Sequence, residues 1–249
     1  MIETAETESR REGLRIFRQP AWAEAFPGLV QGITGRSEVR FGSDGDVGGD
    51  PGPAEGWTRL GRVTGIRRMV RCRQVHGADV AVCEGRPAEG LTVLGEADAL
   101  VTRQEDALLV ITVADCVPVF LVDPATRTLG LAHAGWRGAA AGVVGAALRR
   151  MRELGTEPGS VHAHLGPAVC GDCYEVGPEV PRALGGYAAD ATHVDLRGHL
   201  RGELLAAGLS AERVTVSPAC TRCEPERYYS YRGGDRRRRM CAFCGWSPR

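Results

Sequence analysis

This chain of 249 residues lacks a net charge, its 31 Lys and Arg being matched by 31 Asp and Glu. That balance points away from nucleic acid and from anionic membranes as partners. Arginine dominates the basic residues, which suggests a high-GC coding sequence more than a function. No apolar run approaches the length that spans a bilayer. The opening stretch MIETAETESRREG is polar and mixed in charge, without the apolar core of a signal peptide. A cytoplasmic location is the resulting expectation, with residues 1–13 as a flexible, solvated tail. Internal repeats are absent, and histidines number only six. Cysteine is the exception to this scarcity. There are nine, an odd number, so they cannot all pair within one chain. In a reducing compartment they are expected as thiols or metal ligands.

The length allows one large domain or two small ones, with a sizeable core. The Gly-, Pro- and Asp-rich stretch GSDGDVGGDPGPAEG reads as a loop. Asp44, Asp46, Gly49 and Glu55 half-match a calcium loop, but Gly48 takes a ligand position and Pro51 and Pro53 interrupt it. From Met69 the chain alternates between apolar runs and turns. MVRCRQVHGADVAVC reads as extended segments broken at His76-Gly77, and ALLVITVADCVPVFLVD as two buried strands around Asp115-Cys116. TLGLAHAG is a third strand, followed by a helix over Arg137–Leu154 that ends at Gly155. SVHAHLGPA and RVTVS add strands, and VDLRGHLRGELLAAGL adds a second helix between Asp195 and Gly208. These elements predict an α/β fold with a mixed β-sheet flanked by helices.

Three segments place metal-binding side chains at element ends: RQVHGADV with His76, TVADCVPVF with Cys116, and LAHAGWRG with His133. Each follows an apolar run and precedes a turn former, where a strand delivers a side chain to the rim of a sheet. Two His and one Cys with an open fourth position suit catalytic zinc. The bland alternative is a buried thiol and hydrogen-bonded turn histidines. Arg137 stands beside a helix start, where free N–H groups and the macrodipole favour a phosphate or carboxylate. The small residues Gly138, Ala139 and Ala140 are expected to let that ligand approach the backbone. Asp115 is a candidate to orient a ligand or relay a proton, or else a turn carboxylate.

The motifs QVHGADV, ADALVT, TVADCVPVFLVDP, AHAGWRG, LGPAVCGDCYEVG and YYSYRGG together resemble the YfiH-type family, whose members are often named multicopper polyphenol oxidoreductases or laccases. The resemblance implies a single catalytic domain, residues 14–249, with a fold similar to the cytotoxic necrotizing factor catalytic domain. It implies Zn2+ held by His76, Cys116 and His133. It also implies a purine nucleoside and phosphate as small-molecule partners: phosphorolysis of adenosine, inosine, guanosine or methylthioadenosine, and deamination of adenosine. Some relatives are linked instead to editing of peptidoglycan precursors. Six histidines cannot furnish both a blue-copper site and a trinuclear cluster, so laccase chemistry is discounted and copper is read as an adventitious occupant. An alternative uses Cys116 and His133 as a thiolate–imidazolium pair in a hydrolase or deamidase, which leaves His76 without a role.

The remaining cysteines suggest a second, structural zinc. Cys220-Cys223 and Cys241-Cys244 are two CxxC pairs with structural-zinc spacing, and Cys170 with Cys173 are weaker candidates.

Overall fold

Leu108–Val113 and Val117–Asp123 are buried along their whole lengths, and strands of that kind need cover on both faces. The computed structural model, which describes residues 2–42, 54–188 and 190–248, supplies that cover by stacking two sheets. The first has the order β1 (Ile2–Glu3), β13 (Val214–Val216), β12 (His162–Leu165), β10 (Val117–Asp123), β11 (Thr128–Ala134), β8 (Ala99–Thr102) and β6 (Val80–Cys83). The second has the order β2 (Thr7–Arg11), β3 (Leu14–Arg18), β4 (Leu29–Thr34), β14 (Met240–Trp246), β9 (Leu108–Val113), β5 (Arg68–Arg73) and β7 (Gly90–Glu96). Both mix parallel and antiparallel pairs. The fold is therefore α/β as expected, with two mixed sheets rather than one.

Strand alternation sorts the side chains into layers. Phe120, Val122 and Leu131 of the first sheet meet Leu109, Ile111 and Trp246 of the second in a shared inner layer. The outer face of the first sheet, with Val119 and Leu121, packs on α4 (Val143–Glu153) and α6 (Leu196–Ala206) through Ala147, Met151, Leu200 and Leu204. The outer face of the second, with Val110 and Phe243, packs on α2 (Ala54–Thr64) through Trp57 and Leu60. The shorter helices are α1 (Pro20–Ala25), α3 (Trp136–Ala140) and α5 (Glu179–Leu184).

Two expectations are corrected. Of the segment expected as a free tail, residues 2–13 are held in sheets: β1 pairs with β13 and β2 with β3. Between them Glu6 reaches inward to accept from Ser217 Oγ at 2.9 Å and to meet His164 Nε2 at 3.1 Å. Its polar composition marks an edge strand, not disorder. The helix expected over Arg137–Leu154 is broken into α3 and α4, because Gly142 between them takes the left-handed conformation (φ +77°). By contrast α6 follows Asp195 and gives way to Gly208 (φ +98°), as its end signals predict. Asp44, Asp46 and Gly49 of the calcium-loop match lie outside the described residues, and Glu55 pairs with Arg59 on α2.

Consecutive connections cross from the second sheet to the first at one end of the sandwich: β5 to β6, β7 to β8, and β9 to β10. Parallel pairing of β5 with both β7 and β9 puts these three connections side by side.

Candidate active site

The crossings deliver the predicted donors to one place. His76 lies on the β5–β6 connection and Cys116 on the β9–β10 connection, while His133 closes β11. Register explains the third, since β10 and β11 pair Pro118 with His133 and so bring Cys116 beside Gly135. The ligand atoms of His76, Cys116 and His133 all lie within 4.8 Å of one another. The two imidazole rings are edge-on, their centroids 4.8 Å apart. A Cβ on Gly135 would stand 3.1 Å from both Cys116 Sγ and His76 Cδ2. The glycine thus keeps open the space next to the donors.

The sequence reading missed the residue that holds this arrangement. Asp98, on the β7–β8 connection, is buried and accepts three hydrogen bonds. His133 Nδ1 lies 2.8 Å from its Oδ1, while the Val75 and Gly77 amides donate to Oδ2 at 3.0 and 2.7 Å. One carboxylate therefore fixes the His133 ring and clasps the loop on both sides of His76, whose own backbone is left-handed (φ +60°). Binding His133 through Nδ1 leaves Nε2 as its donor to an ion. The local signal for Asp98 was an acid directly before an apolar strand, ADALVT, which carries no spacing code of its own. Gln74 adds a second clamp: its side chain accepts from Thr112 N and donates to Thr112 O, both at 2.8 Å.

The Asp115 carboxylate bonds groups other than the three donors. Its carboxylate accepts from Thr221 Oγ1 at 2.6 Å and from the Arg232 amide at 2.7 Å, so it ties the Cys116 turn to the C-terminal loops. Electrostatics follow the geometry. Burial raises the Cys116 thiol, but the charge and hydrogen bond of His133, then those of His76, bring it down to about 6. Burial likewise disfavours the His133 imidazolium, yet the Cys116 charge and the Asp98 hydrogen bond raise it to about 10. Asp98 is held below its ordinary range against its own desolvation by His133 and the two loop amides.

The three donors sit in the wall of a cavity of about 420 Å³. Arg137 lines it, as do Arg232 and Arg239. Aromatic surface comes from Trp136, Tyr174 and Tyr231. The Arg137 and Arg232 guanidiniums lie over the rings of Trp136 and Tyr174, at 4.3 and 4.6 Å. The helix expected to help bind an anion is only the five-residue α3, too short for a substantial dipole. Nor does Gly138 admit a ligand: a Cβ there would meet Gly77 O at 2.9 Å, so the glycine lets α3 press against the His76 loop. The cationic side chains that line the cavity are these three arginines.

Other histidines are engaged elsewhere. His162 packs on Phe26, His164 bonds Thr215 and Glu6, His193 contacts Thr192, and His199 pairs with Glu203. The second cysteine expectation is corrected in part. Cys241 and Cys244 lie in β14, where a three-residue offset puts them on opposite faces, one toward α2 and one in the inner layer. Cys220 and Cys223 instead meet Cys170 and Cys173.

The chain is 41% identical over 198 residues to a purine nucleoside phosphorylase of Streptomyces coelicolor, covering 76% of this chain and 80% of that one. It is 35% identical over 181 residues to an adenosine deaminase from an unknown prokaryotic organism, with 66% and 69% covered. Its fold is similar to the crystal structure of YlmD from Geobacillus stearothermophilus, with a TM-score of 0.80, 30% identity, and 98% and 100% of the two chains covered. No helix among the described residues is long and apolar enough to cross a membrane. The sequence model described as multi-copper polyphenol oxidoreductase laccase matches residues 54–247, and the chain belongs to that family.

Proposed function

We propose that this chain is a zinc-dependent purine nucleoside enzyme: a phosphorylase of adenosine, inosine, guanosine and methylthioadenosine that also deaminates adenosine. The observation that carries the reading is the convergence of His76, Cys116 and His133 in the wall of a cavity lined by arginine and aromatic side chains. The relatives named above act on the same class of substrate. Two imidazoles and a thiolate, with space left by Gly135, fit a catalytic zinc with an open coordination position. When bound, zinc supplies Lewis acidity and lowers the pKa of water toward about 7.

The protein groups account for the rest. Asp98 keeps the His133 tautomer and the His76 loop in place. Tyr174, Trp136 and Tyr231 offer flat surfaces for a purine. Arg137, with Arg232 and Arg239, holds phosphate against the sugar. In phosphorolysis the bond from the anomeric carbon to the purine nitrogen breaks, a bond to a phosphate oxygen forms, and the purine leaves carrying the electron pair and takes up a proton. Incubating adenosine with and without phosphate, with the products separated, tests the reading. Phosphate-dependent adenine and phosphate-independent inosine are expected, both lost in His76→Ala. Neither product from zinc-loaded protein overturns it. Arg137→Ala should raise the apparent KM for phosphate several-fold with zinc content unchanged.

A second reading has one observation in its favour. Asp98, His133 and Cys116 form an acid–imidazole–thiol series suited to nucleophilic catalysis. Metal-free protein with a hyper-reactive Cys116 and hydrolytic activity would favour it. Zinc-shielded Cys116, unreactive to iodoacetamide, would dismiss it.

A further inference from the structure

Four cysteines outside the cavity form a second cluster. Cys170 and Cys173 bracket a single 3-10 turn at Gly171–Cys173, and Cys220 and Cys223 bracket the turn that follows Ala219. Their sulfur atoms all lie within 4.8 Å of one another. Cys173 and Cys223 approach to 3.4 Å, and all four are free thiols. A bonded pair of sulfurs would stand about 2.05 Å apart, whereas four sulfurs about 2.3 Å from a tetrahedral zinc stand roughly 3.8 Å from each other. With one pair at 3.4 Å and every pair within 4.8 Å, the cluster spans the second spacing, and its Cys173–Cys223 pair is far from the first. Its surroundings suit bound thiolates as well. The Cys170 amide donates to Cys220 Sγ at 3.3 Å, and Arg222 reaches across to Cys173 O at 3.2 Å, bringing a positive charge to the cluster. The backbones are in register already, through the bridge of Ala168 with Cys220 and the Thr221 amide on Ala168 O.

We propose that Cys170, Cys173, Cys220 and Cys223 bind a structural zinc ion, distinct from the ion proposed for His76, Cys116 and His133. All four positions are thiolates of the chain, which leaves no open site for substrate and assigns the ion to architecture. The two loops it joins both reach the cavity. Tyr174, next to Cys173, lines it, and Thr221, between Cys220 and Cys223, donates to Asp115 beside Cys116. The ion therefore staples the wall formed by the Tyr174 loop to the turn that presents Cys116.

The test measures zinc per chain in protein purified with reductant, for the wild type, His76→Ala and the double variant Cys173→Ser/Cys223→Ser. Two ions are expected in the wild type and one in each variant. In cobalt-substituted His76→Ala, intense thiolate-to-metal charge-transfer absorption should persist. That measurement stands even if the double variant fails to fold. A wild type with one ion that survives His76→Ala and disappears with the cysteines would uphold this proposal and sink the catalytic one. A single ion abolished by His76→Ala would overturn it, as would a Cys173–Cys223 disulfide in the reduced preparation.

Discussion

Asp98 governs the candidate site at the scale of single residues, because its three hydrogen bonds reach both histidine-bearing segments. Asp98→Asn keeps the shape but loses the charge facing His133, and zinc affinity should fall about 10–100-fold in a competitive chelator titration. Unchanged affinity would show that the carboxylate is only structural. Its depressed pKa also sets a pH dependence. Asp98 stabilises the fold fully above its ordinary 3.8, and this contribution is lost as pH falls through its lower folded value. Asp98→Asn should therefore narrow the stability difference from wild type in strong acid. Cys116 offers a second readout. In chelator-treated protein its alkylation by iodoacetamide should rise with a midpoint near pH 6, in line with its lowered pKa of about 6. A midpoint near the ordinary 9 would show that the imidazoles do not act on it.

Short elements and their contacts decide whether the donors meet. Gly138→Ala would push α3 away from the His76 loop, since the new Cβ falls 2.9 Å from Gly77 O. A loss of about 1–3 kcal/mol and a weakened metal site are expected from thermal melts and metal titration. Deleting residues 1–13 removes β1, β2 and Glu6, leaving His164 Nε2 without its Glu6 partner and the Ser217 O–H without the acceptor it donates to. At about 1–3 kcal/mol for each unsatisfied group, the melting temperature should drop by several degrees, whereas a frayed tail could be cut without effect. That segment also shows where sequence reading stops. β9, β10, β11 and α6 were legible because burial on both faces writes an unbroken apolar run and caps write Asp or Gly at the ends. An exposed edge strand such as Thr7–Arg11 writes neither, since its pairing is backbone to backbone. The same contrast separates the cysteines. CxxC in a turn converges its two sulfurs, and CxxC in β14 points them apart, yet the letters are identical. Asp98 was illegible for a further reason: its partners lie on two other segments, brought to it by the pairing of β8 with β11 on one side and with β6 on the other.

The whole molecule depends on the inner layer that the two sheets share. Phe120 and Trp246 meet there from opposite sheets, both almost fully buried. Trp246→Ala should cost about 3–5 kcal/mol, and the loss should appear in one cooperative melting transition, since the inner layer is built by both sheets together. Two separate transitions would divide the chain into independent units. The crossings between the sheets carry one more consequence. Because His76 and Cys116 arrive from one sheet and His133 rises from the other, the three donors work like a vernier scale read across the sandwich. A slip of the layers by a fraction of a bond length, too slight to melt anything, spoils the alignment of that mark first. Metal occupancy should thus decline in distant packing variants well before their melting curves move.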